Sequence, residues 1–176
     1  MSSVVISGDT SGAITLAAPA VAGTNTINLP AAAGTVMVSG NMPAFSAYQS
    51  AASALSAGTT TKVLFDQELF DTNNNFASSR FTPTVAGYYQ VNGTVFVNST
   101  VSILFTILNH SAGSTASKSG TAINIAGQSQ AASSASGIMY FNGSTDYVEV
   151  WAFSSSAVNT LGNEYTHFTA TLIRSA

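Results

Sequence analysis

From Met42 onward, short runs of β-branched and aromatic residues recur at regular spacing, and this rhythm restricts the chain to an all-β fold. The runs are Ala44 to Gln49, Thr61 to Phe65, Arg80 to Pro83, Gly87 to Asn98, Val101 to Leu108, Ala122 to Ala126, Gly137 to Phe141, Tyr147 to Phe153 and Tyr165 to Ile173. Gly, Asn and Ser turns part them, which is the pattern of consecutive antiparallel strands. Ser50 to Ala57 alone offers a helical alternative, and its Ala and Ser content with a single Leu suits a loop equally well. Nine strands in about 135 residues describe a sandwich of jelly-roll size. That length suffices for one core burying about two-thirds of the unfolded surface.

The first 40 residues read differently. Four brief apolar bursts occur, Val4-Val5-Ile6, Ala13-Ile14-Thr15-Leu16, Thr26-Ile27-Asn28-Leu29 and Val36-Met37-Val38. Gly8-Asp9, Ser11-Gly12, Pro19, Gly23, Pro30 and Gly34 separate them, and these are turn and breaker residues. A unit of about 40 residues normally needs disulfides, metal or oligomerisation to stand alone, and the chain has no Cys. Residues 1–40 are therefore expected to form an arm, ordered by copies of itself or by a larger partner. Val4, Ile6, Ile14, Leu16, Ile27 and Leu29 would carry its contacts, and residues 41–176 would form the main domain.

Val101-Ser102-Ile103-Leu104-Phe105-Thr106-Ile107-Leu108 is apolar at both parities, whereas a sandwich strand with one wet face alternates. Both faces are thus expected to be covered. A two-sheet sandwich supplies one inner face, so the second cover is another subunit, and closed symmetry makes it a homo-oligomer. A central strand overlaid by a loop is the alternative. The expected seam residues are Val101, Ile103, Phe105 and Ile107, joined by Tyr89.

Charge excludes further classes. The chain has four Lys and Arg, seven Asp and Glu and two His, a net charge of −3 and 6% charged residues, against about 25% in ordinary proteins. Its polar surface is built instead from about 47 Ser and Thr. Lys62, Lys118, Arg80 and Arg174 cannot neutralise a run of phosphates, so nucleic acid is not an expected partner. A membrane surface lacks its polybasic patch. So few titratable groups leave little for acid–base or metal chemistry, and no catalytic, cofactor-binding or metal-binding residue is assigned. Met1 to Gly12 lacks the basic and uninterrupted apolar regions of a secretory signal, and no window reaches the length of an apolar membrane helix. A cytoplasmically made, soluble and unprocessed chain is expected.

Individual candidates meet plainer explanations. Gly87 suits a turn or bulge leading into a long strand. Tyr88, Tyr89, Phe81, Phe105, Trp151 and Phe168 are better read as core or seam than as a ligand surface. Asp66, Glu68 and Asp71 with Asn73, Asn74 and Asn75 offer oxygen ligands for Ca²⁺, but they match no EF-hand loop and read as a solvated loop. His110 and His167 stand 57 positions apart without a His or Cys neighbour, which argues against metal. Ser154-Ser155-Ser156 lacks a nucleophile-elbow pattern. Asn92, Asn98, Asn109 and Asn142 head sequons that have no meaning without a secretory route.

Phe65, Asp71 and Phe76, followed by Phe81-Thr82-Pro83-Thr84-Val85-Ala86-Gly87-Tyr88-Tyr89-Gln90-Val91-Asn92-Gly93, resemble the signature of the C1q globular domain, within the C1q and tumour necrosis factor superfamily. Ala44-Phe45-Ser46-Ala47, Asp146 to Trp151 and Tyr165 to Ile173 fit the same pattern, and the resemblance spans about residues 43 to 176. The loop from Phe76 to Phe81 is shorter than the pattern, and Val91 and Gly93 replace aromatics, so ligand sites are not carried over. The resemblance implies a ten-strand jelly roll assembled as a homotrimer about an apolar axis. A collagen-like stalk is absent, because glycines in residues 1–40 have no period of three.

The arm, from Ile6 through Ala20 and from Asn25 through Pro30 to Val36, is similar to segments in tail-fibre and appendage proteins of tailed bacteriophages. Together these resemblances imply a non-enzymatic virion protein, assembled in the host cytoplasm. The expected form is a homotrimeric capsid decoration (cement) protein or short head fibre, anchored to the major capsid protein or another virion protein by its arm. A tail-fibre tip or adsorption module binding a host surface glycan or protein is the alternative, and a free C1q-like binding protein a further one.

Overall fold

The computed structural model describes residues 3–21, 23–27, 31, 34, 36–111, 118–124 and 129–176. The chain divides into two units, Met1–Gly34 and Thr35–Ala176.

In the first unit, β1 (Ser3–Ser7) pairs with β2 (Ala13–Ala17) as an antiparallel hairpin. Gly8 donates its N–H to the Gly12 carbonyl at 3.0 Å, and Gly12 has φ +80°, a left-handed turn that glycine adopts without steric cost. Val4 stands opposite Leu16 and Ile6 opposite Ile14. Because side chains alternate along a strand, these four share one face. Thr26 and Ile27 lie outside any strand, and Leu29 lies outside the described residues.

The second unit is a two-layer sandwich. One layer runs in the order β6 (Gln67–Asp71), β3 (Ala44–Tyr48), β15 (His167–Ser175), β9 (Gly87–Val97), β12 (Ala131–Phe141). The other runs β10 (Leu104–His110), β13 (Val148–Ser154), β8 (Arg80–Phe81), β7 (Phe76–Ala77), with β5 (Thr60–Lys62) also on β13. Strand β11 (Lys118–Asn124) joins the layers: Lys118–Thr121 face β10 and Ala122–Asn124 face β12. β4 (Ala54–Leu55) and β14 (Val158–Asn159) pair separately. Ahead of the sandwich, Ser39–Asn41 form one 3-10 turn, where Asn41 Oδ1 accepts the Val38 N–H at 2.7 Å, and Met37 packs against the core.

The core follows from parity. On β9 the odd residues point inward, including Tyr89, Val91, Val95 and Val97. Phe45 stacks on Phe76 and Phe81 with centroids 4.9 and 4.5 Å apart and meets the edge of Phe168 at 4.8 Å. Tyr89 meets Phe81 and Phe141 at 5.6 and 5.3 Å, a geometry that favours aromatic pairs beyond their area alone. The Phe65, Phe76, Phe81 and Tyr89 motif is therefore the packing signature of the sandwich.

Two of the expected seam residues lie in the core of the sandwich. Tyr89 is 0% exposed and donates its hydroxyl to the Val85 carbonyl at 2.7 Å. Val101 is likewise buried in the chain's own core, at 4%. Neither side chain reaches the outer surface of the sandwich. Strand β10 starts at Leu104, and its two apolar parities have separate explanations. Leu104 and Leu108 face the core, while Phe105 and Ile107 stand opposite Phe153 and Trp151 of β13 on the outer side, where all four are half-buried. Ile103, at 43%, is exposed before the strand begins.

Candidate functional site

The outward face of the first layer is an exposed surface of the sandwich with a definite pattern. Even residues of β9 and β12 project from it in register: Tyr88 opposite Tyr140, Gln90 opposite Ile138, Asn92 opposite Ser136 and Thr94 opposite Ser134. On the other flank of β9, β15 sets Arg174, Thr171, Thr169 and His167 beside Tyr88, Gln90, Asn92 and Thr94. Tyr88 and Tyr140 meet edge to face at 5.4 Å, and both are 45% exposed, with Ile138 at 58%.

Neutral groups bond to one another across the middle. Ser136 Oγ donates to Asn92 Oδ1 at 2.7 Å, Gln90 Nε2 donates to Ser136 Oγ at 2.8 Å, and Asn92 Nδ2 donates to Thr169 Oγ1 at 3.3 Å. Thr94 and Ser134 share a hydroxyl bond of 3.0 Å. Arg174 is the one permanently charged residue that β3, β9, β12 and β15 place on this face. An apolar band beside a self-satisfied neutral band suits burial by another surface, because covering it strips water from hardly any charge.

Chemistry-bearing groups are instead tied into structure. Glu149, 4% exposed, accepts from Lys62 Nζ and Arg80 Nε at 2.8 Å on Oε1 and from Trp151 Nε1 at 3.0 Å on Oε2. Burial pushes its carboxyl up, but the donated hydrogen bonds of Lys62, Arg80 and Trp151 outweigh this and hold it below the ordinary Glu value. The Arg80 guanidinium also sits 3.7 Å over the Tyr147 ring. The cluster thus pins β5 and β8 to β13. Burial raises the Tyr89 phenol, which stays protonated.

The acidic residues expected in a solvated loop diverge, because Glu68 and Asp71 lie on strand β6 paired with β3 and only Asp66 precedes it. Asp66 accepts from the Ser50 N–H and hydroxyl, bonds that hold its carboxyl below the usual value. Asp71 accepts from Phe76 N at 2.7 Å and Asn73 N at 3.3 Å, closing the turn between β6 and β7, and Glu68 is exposed. His110 points inward, its Nε2 2.9 Å from the Tyr140 carbonyl and its ring 4.7 Å from Phe141, whereas His167 lies on the outward face. Among the described residues no three His, Cys, Asp or Glu gather into a metal-binding group. A shallow depression of about 380 Å³ between β4, β14, Asn98 and Ser99 carries no titratable side chain.

Of the aromatic candidates, Phe81, Tyr89 and Phe168 are core, Phe105 and Trp151 are half-buried on the second layer, and Tyr88 is exposed. Sequence reasoning missed Tyr88, Gln90, Asn92, Ile138 and Tyr140 as one surface. The signal was present: Val91, Val95 and Val97 assign odd positions to the core, which sends Tyr88 outward and Tyr89 inward.

In the hairpin unit, Val4, Ile6, Ile14 and Leu16 are 61, 55, 67 and 59% exposed, and Ile27 is 88% exposed. This is a second apolar surface.

No family model and no curated protein matches the sequence. Solved structures do match. The globular domain of zebrafish complement 1qA is 20% identical, with a TM-score of 0.55 over 76% of this chain and 99% of that one. Murine APRIL is 10% identical, with a TM-score of 0.57 over 75% and 99%. Eiger TNF from S. frugiperda is 7% identical, with a TM-score of 0.55 over 77% and 93%. The chain has the C1q/TNF-like jelly-roll fold, as the aromatic motif implied.

Proposed function

We propose that this chain is a non-enzymatic structural protein of a bacteriophage particle, a homotrimer whose sandwich forms an exposed knob and whose first unit engages the capsid as a decoration protein or short head fibre. The observation that carries the reading is the contrast between the two units. The sandwich buries its aromatics and ties its carboxylates and His110 into hydrogen bonds, leaving no constellation for catalysis among the described residues. The hairpin leaves all four of its large aliphatic face residues in water. An isolated two-stranded hairpin is at best marginally stable, so such a unit is a contact element.

The trimer seam in this reading is the outward face of Tyr88, Gln90, Asn92, Ile138 and Tyr140. Its neutral composition supports that role. Electron microscopy of purified particles tests the assignment. Trimeric knobs at three-fold capsid sites, with residues 1–34 toward the coat protein, are expected. A chain absent from the particles, or one whose first unit points away from them, would contradict it.

A further inference from the structure

We infer that Asn142 is a site of spontaneous deamidation, its carboxamide attacked by the Gly143 backbone nitrogen in a loop that stabilises the charge this forms. The chain's second Asn-Gly pair, Asn92-Gly93, is held inert by the sheet. A covalent change of this kind needs no enzyme and no partner, so it stands or falls apart from the particle reading.

Glycine after asparagine leaves the attacking nitrogen free of a neighbouring Cβ, and the fold treats the two pairs oppositely. Asn142 is exposed in the connection between β12 and β13. Its Oδ1 accepts the N–H groups of Ser144, Thr145 and Asp146 at 2.9, 2.9 and 3.1 Å and the Ser144 hydroxyl at 3.2 Å. Its Nδ2 donates to Thr145 Oγ1 at 2.9 Å, and its own N–H to Asp146 Oδ2 at 3.0 Å. The Gly143 N–H donates to none of the described residues. Asn92, by contrast, is half-buried in the middle of β9, and Gly93 is buried and paired with Ala135 on one side and Phe168 on the other. The Asn92 carboxamide is tied to Gln90, Ser136 and Thr169.

The Gly143 nitrogen loses its proton to solvent and bonds to Asn142 Cγ, an intramolecular attack that pays no cost of encounter. Charge then develops on Oδ1, where three backbone N–H groups already converge at the distances that stabilise an oxyanion. Collapse breaks the Cγ–Nδ2 bond, ammonia leaves with a proton from water, and a five-membered succinimide remains. Water opens the ring at one carbonyl or the other, giving Asp or its isoaspartyl isomer and adding one negative charge to a chain of net −3. At Asn92 the same ring closure would pull Gly93 out of a ladder bonded on both sides, leaving buried backbone groups unpaired. The isoaspartyl product is the disruptive one at position 142. A Cβ on Gly143 would meet Ala86 N at 2.5 Å and the Val85 carbonyl carbon at 3.0 Å, so the loop has no slack for the extra main-chain carbon.

The two pairs in one chain make the test direct. The full chain is held in mildly alkaline buffer, folded and in parallel unfolded in guanidinium chloride, and conversion at each Asn is followed by peptide mass spectrometry, with chromatography separating Asp from isoaspartyl peptides. In guanidinium the two pairs should convert at similar rates; in the folded chain Asn142 should convert at least tenfold faster than Asn92. Equal rates in the folded chain, or an Asn142 that stays intact while Asn92 converts, overturns the inference. Ser144→Pro removes one of the three N–H donors on Oδ1. In protein that keeps its β-sheet circular dichroism it should slow Asn142 several-fold, and an unchanged or faster rate overturns the role given to the loop.

Discussion

Gly87 opens β9 where β15 bulges between Leu172 and Arg174. A Cβ there would press on the Arg174 carbonyl and come within 2.8 Å of Leu172 Cδ1. Gly87→Ala should therefore cost about 1–3 kcal/mol, the usual range for overpacking, measured as a lower urea midpoint at unchanged slope. Gly93 is similar in kind, because its Cβ would meet Val150 Cγ2 at 2.8 Å. That contact is why Gly stands where the resemblance leads one to expect an aromatic. Glu149 gives a pH signature. Its folded pKa is lowered, so its contribution is complete above the ordinary value of 4.5 and is lost as pH falls through the folded value. Glu149→Gln should cost about 1–2 kcal/mol at pH 7, less than a fully buried pair because Lys62 and Arg80 remain partly in water. The gap between variant and parent should narrow by pH 3; an equal gap at both pH values would refute the assignment.

At the scale of elements, Ser133 shows how the layers are bolted together. Its hydroxyl accepts the Thr106 N–H at 3.0 Å, and its carbonyl accepts the Thr106 hydroxyl at 2.7 Å. Ser133→Ala should cost about 1–2 kcal/mol by leaving a buried donor short of a partner, and a change below a few tenths would disprove this role. The same strand shows what the sequence could and could not convey. Gly137 to Phe141 was legible from its Ile, Met and aromatics, but β12 begins at Ala131. Its first half, Ala-Ala-Ser-Ser-Ala-Ser, has low strand propensity and is held by pairing with Thr94, Val95, Phe96 and Val97. Strand β6 was missed for the same reason, since Gln67 to Asp71 has no alternation and pairs only along β3. Ser50 to Ala57 forms no helix; Gln49, Ser53 and Thr160 bond around it and β4 emerges from it. The aromatic spacing carried the fold because those residues make the core contacts. The outward face was legible only through parity, which the adjacent Tyr88 and Tyr89 obscured.

For the whole molecule, the shortage of charge now has a location. Half of its four Lys and Arg are drawn onto Glu149, and the broad face of the first layer is left almost neutral. Ile138→Asp should reduce a trimer to single chains that stay folded, read as retained β-sheet circular dichroism, because Ile138 is exposed on the outward face of β12. Unfolding of the variant instead would place Ile138 in the chain's own stability. Association through such a face owes little to Coulomb attraction, and salt screens it little. Light scattering of the full chain in dilute solution, at about 0.05 M and about 1 M salt, tests this most directly. The account predicts the mass of three chains at both; one chain's mass, or a trimer that falls apart as salt rises, would contradict it.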